Sequence, residues 1–316
     1  MHITSLDNVV TLVTGGAGFI GSHLVDDLLE RGAHVRVLDD FSTGRRENLS
    51  QCLDRIELIE GDICDLETCR RACAGARYVF HEAALGSVPR SMQDPAHSLA
   101  VNVAGTANMF TAARDAEVAR VVYASSSSVY GDSERLPKRE GQEGRALSPY
   151  ALSKQMDELL ADTFARCFGM TLVGLRYFNV YGPRQDPKGP YAAVVPRFFA
   201  ACAAGKPPTI FGDGKQSRDF TFVGDVVQAN LLALSASELS GARVFNIGAG
   251  GATTVVDLAW HIIRASGVRV EPEFAPFRAG DVAHSKADAT AAERDLGFRA
   301  SVALGQGLLH TLHGSY

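Results

Sequence analysis

Short apolar runs alternate with helix-like patterns along the first half of the chain. Val9–Thr14 has the apolar, β-branched character of a strand, and a glycine-rich turn follows it. Apolar residues at 24, 25, 28 and 29 then have the spacing of a helix, and His34–Asp39 resembles a second strand. This succession has the length expected of a βαβ unit.

The same alternation continues to about residue 176. The predicted strands are Ile56–Glu60, Tyr78–His81, Val121–Ser125 and Thr171–Arg176, and the predicted helices are Leu66–Ala74, Pro95–Ala116 and Pro149–Phe168. Strands that alternate with helices favour a parallel sheet covered on both faces. The predicted fold class is therefore α/β, with a Rossmann-type doubly wound parallel sheet that binds ligands beyond the carboxyl ends of its strands.

The regularity fades after residue 179. Helices are predicted at Val194–Ala204, Asp225–Leu234, Thr254–Ala265, Asp288–Leu296 and Val302–His313, and strands at Thr209–Phe211, Asp219–Phe222 and Val244–Ile247. We expect residues 1–179 to form the dinucleotide-binding domain, with a returning strand near 220–250. Residues 180–316 are expected to form a smaller, discontinuous substrate-binding lobe.

Glycines at three-residue intervals occupy the turn after the first strand. Gly15, Gly18 and Gly21 suit a tight turn, a close approach of backbone to pyrophosphate, and close packing of helix on strand. Asp39 ends the second strand, where a carboxylate can accept from both ribose hydroxyls and repels a 2′-phosphate. The sequence therefore predicts a dinucleotide site that prefers NAD to NADP.

A tyrosine and a lysine lie four residues apart just before the middle of the chain. Pro149 is favoured in the first turn of a helix, so Tyr150 and Lys154 would project from one face of it. A nearby fixed cation favours the phenolate, which makes Tyr150 a candidate general base. The alternative is an exposed tyrosine and lysine at ordinary helical spacing.

Four serines, Ser125 to Ser128, end the strand that precedes this helix. They could satisfy backbone groups at the strand end. Alternatively, one hydroxyl contacts a substrate oxygen that faces Tyr150. Serine, tyrosine and lysine around a nicotinamide would remove a hydroxyl proton while the carbon loses hydride.

Composition narrows the possible partners. The 316 residues carry a net charge of −5, which argues against a nucleic-acid surface or a basic membrane-binding face. The six cysteines have no His or Cys partner at a zinc spacing, so no metal site is expected. With no leader-like N-terminus and no long apolar run, a cytoplasmic location is expected.

Longer motifs resemble the extended short-chain dehydrogenase/reductase family over nearly the whole chain. They are T-G-G-A-G-F-I-G from Thr14, H-E-A-A from His81, S-S-S-S-V-Y-G from Ser125, S-P-Y-A-L-S-K from Ser148 and L-R-Y-F-N-V-Y-G from Leu175. Within the family the chain is similar to UDP-hexose 4-epimerases. Residues 81–90 and 184–195 are most similar to bacterial UDP-N-acetylglucosamine 4-epimerases.

The resemblance implies a reaction in which bound NAD is reused. Tyr150 would take the proton of the sugar 4-hydroxyl while C4 passes hydride to NAD; the keto sugar rotates, and hydride returns to its other face. Lys154 would bind the nicotinamide ribose and favour the Tyr150 phenolate. Ser126 matches the catalytic Ser/Thr of the family, and Ser127 and Ser128 are alternatives.

The resemblance also implies binding residues. The cofactor contacts are Gly15, Gly18, Phe19, Ile20, Asp39, Asp62, Ile63, Ala83, Lys154 and Tyr177, with Asn102 nearby. Asn179, Arg218 and Arg278 match residues around the diphosphate, and Asp281 matches a contact to the nucleotide ribose. Guanidinium forks suit a diphosphate on a negatively charged protein, although a solvated charge is the alternative for each arginine.

Other positions bear on the reaction and the sugar. Dehydratase and decarboxylase relatives usually carry an acid at the positions of Ser127 and Ser128. Uronic-acid epimerases tend to carry Thr at the position of Asn179. Both differences favour epimerisation of a neutral hexose. Five positions match the pattern that prefers N-acetylated sugars: Gly86, Ser87, Gln185, Ala193 and Ser285. UDP-GlcNAc and UDP-GalNAc should therefore interconvert best, with UDP-glucose and UDP-galactose as further substrates.

Alternatives to this prediction stay open. They are an epimerase restricted to non-acetylated sugars and a nucleotide-sugar dehydratase or decarboxylase. A non-catalytic dinucleotide sensor should have lost Tyr150 or Lys154, and the presence of both argues against it. By analogy with relatives, a homodimer is expected through a four-helix bundle of residues 95–116 and 149–168.

Overall fold

The computed structural model describes residues 5–187, 192–277 and 283–314. Its strands, in chain order, are β1 (Val10–Thr14), β2 (His34–Asp39), β3 (Ile56–Glu60), β4 (Tyr78–His81), β5 (Arg120–Ser126), β6 (Leu172–Tyr177), β7 (Val180–Tyr181), β8 (Thr209–Phe211), β9 (Ser217–Arg218), β10 (Thr221–Phe222), β11 (Ala242–Ile247), β12 (Thr253–Thr254) and β13 (Glu273–Ala275).

The helices of the described residues are α1 (Phe19–Glu30), α2 (Leu66–Cys73), α3 (Val88–Gln93), α4 (Pro95–Leu99), α5 (Gly105–Asp115), α6 (Pro149–Phe168), α7 (Val194–Ala203), α8 (Val223–Ser235), α9 (Val255–Ser266), α10 (Thr290–Leu296) and α11 (Leu304–His313). A π-helical segment, Ala100–Ala104, joins α4 to α5. Within these residues no helix is both long and apolar enough to cross a membrane.

The main sheet is parallel and has the order β11–β6–β5–β4–β1–β2–β3. Chain order reverses between β1 and β4, which is where ligands bind in open α/β sheets. The predicted doubly wound sheet is therefore confirmed. Because β11 pairs with β6, the main sheet includes residues beyond 179, and the expected domain division stays a prediction.

Apolar layers cover both faces of the main sheet. One layer includes Leu24 and Leu28 of α1 and Val226 of α8. The other includes Phe110 of α5 and Ala161 of α6. Strands buried on both faces need apolar side chains in both directions, which explains their nearly continuous apolar runs.

A third apolar cluster holds the smaller lobe together. It contains Phe198 of α7, Ile210 of β8, Leu258 of α9 and Leu308 of α11. The short pairs β7–β10, β9–β12 and β8–β13 belong to this part of the molecule.

Three details differ from the predicted elements. The expected helix Pro95–Ala116 is interrupted by the π-helical segment, and α3 precedes it. The expected strand Asp219–Phe222 is replaced by β9 and β10. Asp219 lies buried between them, where its carboxylate accepts bonds from the backbone N–H groups of Ala249, Gly250 and Ala287. The strand β13 was not predicted, because its three residues carry too little pattern.

Candidate active site

A pocket of about 510 Å³ lies at the carboxyl ends of the central strands. The glycine turn after β1 lines one part of it. The ends of β2, β4, β5 and β6 and the first turns of α6 line the rest. Residues far apart in sequence meet here because parallel strands present their carboxyl ends at one edge.

The glycine turn leaves no room for larger side chains. Gly15 has φ +66°, and a Cβ added to it would lie 2.8 Å from the backbone N and Cα of Ala83. A Cβ on Gly21 would overlap the carbonyl oxygen of Gly15. Helix α1 begins after Gly18 without a side-chain cap and without an acid in its first turn. Its amide dipoles are therefore suited to an anionic pyrophosphate.

The carboxylate of Asp39 is fixed at the end of β2. Oδ2 accepts from the N–H of Ala17 and Oδ1 from the N–H of Phe41, each at 2.8 Å. Burial raises the pKa of Asp39, and the two backbone bonds oppose that effect. A fixed acid beside a glycine turn suits the ribose hydroxyls of NAD.

Helix α6 places the tyrosine and the lysine on the pocket. Pro149 begins the helix, as predicted, and the Ser148 hydroxyl caps it by accepting from the N–H of Ala151 at 3.1 Å. The backbone N–H of Tyr150 donates to Ser91 Oγ at 3.1 Å. Tyr150 and Lys154, four residues apart, both line the pocket.

Lys154 is 4% exposed, and its ammonium has two hydrogen-bond partners. It donates to the carbonyl of Ala124 at 2.9 Å and to Oδ2 of Asp157 at 3.0 Å. Burial alone would lower the pKa of Lys154, but the charge of Asp157 and the nearby Tyr150 raise it above its ordinary value. Two of its three N–H groups are used by described residues, so the third is available to a ligand.

The serines at the end of β5 have different partners. Ser125 Oγ donates to Glu158 Oε1 at 2.6 Å. Ser126 Oγ accepts from the N–H of Ser128 at 3.1 Å. It therefore satisfies a backbone group at the strand end, which was one of the two expected roles of these serines. Its own O–H stays free to donate into the pocket, which Ser127 and Ser128 also line.

Most of the predicted site residues line this pocket. They are Gly15, Gly18, Phe19, Ile20, Asp39, Asp62, Ile63, Ala83, Gly86, Ser126, Tyr150, Lys154, Tyr177, Asn179 and Gln185. Asn102 lies behind the pocket, where its Oδ1 accepts from the N–H of Leu85 at 2.8 Å and its Nδ2 donates to Ser153 Oγ at 3.0 Å.

Four other predicted residues do not line it, and two more lie outside the described residues. Ser87 caps α3 by accepting from the N–H of Arg90, and Ala193 precedes α7. Arg218 and Ser285 both bond to the carbonyl of Ser217 in the smaller lobe. Arg278 and Asp281 lie outside the described residues. The catalytic and binding roles of all the predicted site residues, those that line the pocket included, stay predictions.

Glu82 was not predicted as a site residue, although it lines the pocket. Its Oε1 accepts from the hydroxyl of Tyr177 at 2.8 Å, and that hydroxyl accepts from Asn230 Nδ2 at 2.8 Å. A charged residue directly after the predicted strand Tyr78–His81, at the strand end where ligands bind, was the available signal.

The site combines an uncapped helix after a glycine turn, a fixed acid at the end of β2 and a Tyr–Lys pair. These features define a NAD-dependent enzyme of the short-chain dehydrogenase/reductase class. The sequence pattern of the NAD dependent epimerase/dehydratase family matches residues 11–248. The chain belongs to this family and uses NAD as its cofactor, so the predicted family and cofactor are confirmed.

Similar proteins cover nearly the whole chain. A UDP-glucose 4-epimerase of Mycolicibacterium smegmatis is 42% identical over 96% of this chain and 97% of its own length. The Thermotoga maritima UDP-glucose 4-epimerase with UDP-glucose has a TM-score of 0.92 at 39% identity, covering 97% of this chain and 98% of that one. A UDP-N-acetylglucosamine 4-epimerase of Methanobrevibacter ruminantium, in complex with UDP-N-acetylmuramic acid, has a TM-score of 0.93 at 34% identity and covers 98% of both chains.

Proposed function

We propose that this chain is a 4-epimerase of UDP-sugars that interconverts UDP-GlcNAc and UDP-GalNAc and also accepts UDP-glucose and UDP-galactose. The observation that carries the proposal is the position of Tyr150, Lys154 and Ser126 on one pocket with the cradle for NAD. The names of the similar epimerases support the same reaction.

Each step is assigned to a side chain that faces the pocket. The Ser126 hydroxyl donates to the sugar 4-oxygen, while Tyr150 takes the proton of the 4-hydroxyl. The glycine turn and Asp39 would hold NAD, which when bound would supply the acceptor for the C4 hydride and the source of its return. Lys154, held by Asp157, keeps a positive charge near Tyr150 and would donate to the nicotinamide ribose. After the 4-keto sugar rotates and presents its other face, Tyr150 returns the proton to the 4-oxygen.

Two pocket residues support the acetylated sugar. A Cβ placed on Gly86 meets no atom within 4 Å, so this wall leaves room for a larger substituent. Gln185 donates to the carbonyl of Val180 at 3.1 Å, while its Oε1 is buried without a partner among the described residues. That oxygen is suited to accept from an acetamido N–H.

The absence of an acid at Ser127 and Ser128 argues against elimination and decarboxylation, which need a further proton shuttle. The expected homodimer is supported by apolar side chains exposed on one face of α6: Leu152, Met156 and Leu159. Contiguous exposed apolar surface is typical of an interface.

The substrate is tested by incubating the purified protein, without added NAD, with each of the four UDP-sugars. Product formation is followed by proton NMR. We expect the two acetylated sugars to interconvert fastest. Turnover of UDP-glucose and UDP-galactose alone would contradict the assigned sugar, and a released 4-keto sugar or pentose would contradict the assigned reaction.

A further inference from the structure

A carboxyl group lies in the pocket without a part in the reaction described above. Glu82 follows β4 directly and lines the pocket with Tyr177 and Lys154. Tyr177 donates its only hydroxyl proton to Glu82 Oε1, because Asn230 occupies the hydroxyl as a donor. For Oε2, no hydrogen-bond partner lies within residues 5–187, 192–277 and 283–314.

The polar and charged groups around Glu82 come from β6, α6, α8 and β4. Strand β6 contributes the Tyr177 hydroxyl, and burial raises the pKa of that phenol well above its usual value. Helix α6 contributes the ammonium of Lys154, paired with Asp157, and the phenol of Tyr150. Helix α8 contributes the neutral amide of Asn230.

The remaining titratable neighbour, His81, points away from Glu82. Its ring bonds to the hydroxyls of Thr14 and Thr106 at 2.7 and 3.0 Å. Burial lowers its pKa to about 3, so the ring stays neutral.

Burial raises the pKa of Glu82 to about 7, while the Tyr177 bond and the charge of Lys154 oppose the increase. Tyr177 stays protonated and Lys154 stays charged near neutral pH. Burial also raises the pKa of Asp157, the partner of Lys154, to about 6, and the charge of Lys154 opposes that increase. Of these two carboxyl groups, Glu82 lines the pocket and changes charge closer to pH 7.

We propose that the Glu82 carboxylate makes the pocket prefer oxidised NAD over NADH. The proposal rests on the proposed function, which puts hydride transfer beside Tyr150 and Lys154. The oxidised ring is cationic and the reduced ring is neutral, so a nearby carboxylate stabilises the first more than the second. Lys154 repels the cationic ring, and Glu82 offsets that repulsion.

This preference has a consequence for an epimerase. Hydride that leaves C4 must return to the same sugar, and a pocket that favours the oxidised ring drives that return. A reduced cofactor left behind by an escaping keto sugar would inactivate the enzyme. By favouring the oxidised ring while the keto sugar is still bound, the Glu82 carboxylate lowers the fraction of enzyme that holds NADH and keto sugar, and with it the chance that the keto sugar escapes.

The test measures nucleotide preference and uses no sugar. The full chain is dialysed against an equimolar mixture of NAD and NADH, at pH 6.5 and pH 8.5, until the bound ratio is constant. The bound nucleotides are then extracted and quantified by chromatography. In the wild type we expect NAD to be enriched at pH 8.5, and the enrichment to fall several-fold at pH 6.5 as Glu82 takes up a proton.

Glu82→Gln keeps the shape of the side chain and an oxygen that accepts from Tyr177. It should lower the enrichment at pH 8.5 by about tenfold, the order expected for one charge at pocket distances, and flatten the pH dependence. Glu82→Asp should keep a preference for NAD. The control Glu60→Gln removes an exposed carboxylate paired with Arg46 outside the pocket, and should leave the ratio unchanged.

Two results would overturn the proposal. The first is a Glu82→Gln variant with the wild-type ratio at both pH values. The second is a wild-type ratio of bound NAD to NADH that does not change between pH 6.5 and pH 8.5. This result needs no variant, so it can be obtained even if Glu82→Gln folds poorly. This measurement contains no sugar, so its outcome does not depend on the result of the four-sugar experiment. Failure of this proposal can therefore be told apart from failure of the proposed function.

Discussion

At the scale of single residues, the chemistry depends on side chains whose types and spacing were readable in the sequence. Tyr150 and Lys154 four residues apart, with Ser126 at a strand end, predicted a proton-transfer site. The sequence did not predict which groups form hydrogen bonds with these side chains. Lys154 is held by the carbonyl of Ala124 and by Asp157, and only the packing of α6 against β5 brings the carbonyl within reach.

Tyr150→Phe removes the proposed base while it keeps the ring. We expect epimerisation to fall by about 10³-fold, within the usual range for loss of a general base. The loss should appear in kcat with little change in NAD content. Steady-state kinetics on UDP-GlcNAc and extraction of bound nucleotide measure both.

Tyr123→Phe is the matched control for this variant. The Tyr123 hydroxyl is buried without a partner among the described residues, so its removal should leave activity unchanged. A Tyr150→Phe variant that retains most of the wild-type rate would exclude Tyr150 as the base.

At the scale of elements, the alternation of strands and helices predicted the main sheet to within a few residues. The π-helical segment at Ala100–Ala104 was not predictable, because apolar spacing does not register one extra residue in a turn. Its consequence is local: Asn102 reaches both Leu85, in the loop after β4, and Ser153, in α6. The segment therefore ties a wall of the pocket to the helix that carries Tyr150.

Asn102→Ala should loosen this connection. It leaves the buried N–H of Leu85 without its acceptor, so the free energy of unfolding should fall by about 1–3 kcal/mol. We also expect KM for the UDP-sugar to rise. Urea unfolding and steady-state kinetics measure the two effects.

Thr111→Ala in α5 is the control, because the Thr111 hydroxyl donates only to the carbonyl of Ala107 in its own helix. Its effect on unfolding should stay within about 0.5 kcal/mol. Equal losses for the two variants would show that Asn102 does not connect the loop to α6.

At the scale of the whole molecule, the parallel sheet gathers Gly15, Asp39, Ser126 and Tyr150 from distant parts of the sequence. That convergence was predictable, since the carboxyl ends of the strands share one edge. The arrangement of the smaller lobe was not. Its strands are two or three residues long, and Arg218 and Ser285 lie there outside the lining of the pocket.

The return of hydride to the carbon that supplied it is the central claim about the whole molecule. The direct test uses UDP-GlcNAc labelled with deuterium at C4, incubated with the purified protein in ordinary water and without added NAD. We expect UDP-GalNAc that retains deuterium at C4, detected by NMR and mass spectrometry. Loss of the label to solvent, or a requirement for added NAD in each turnover, would contradict this account.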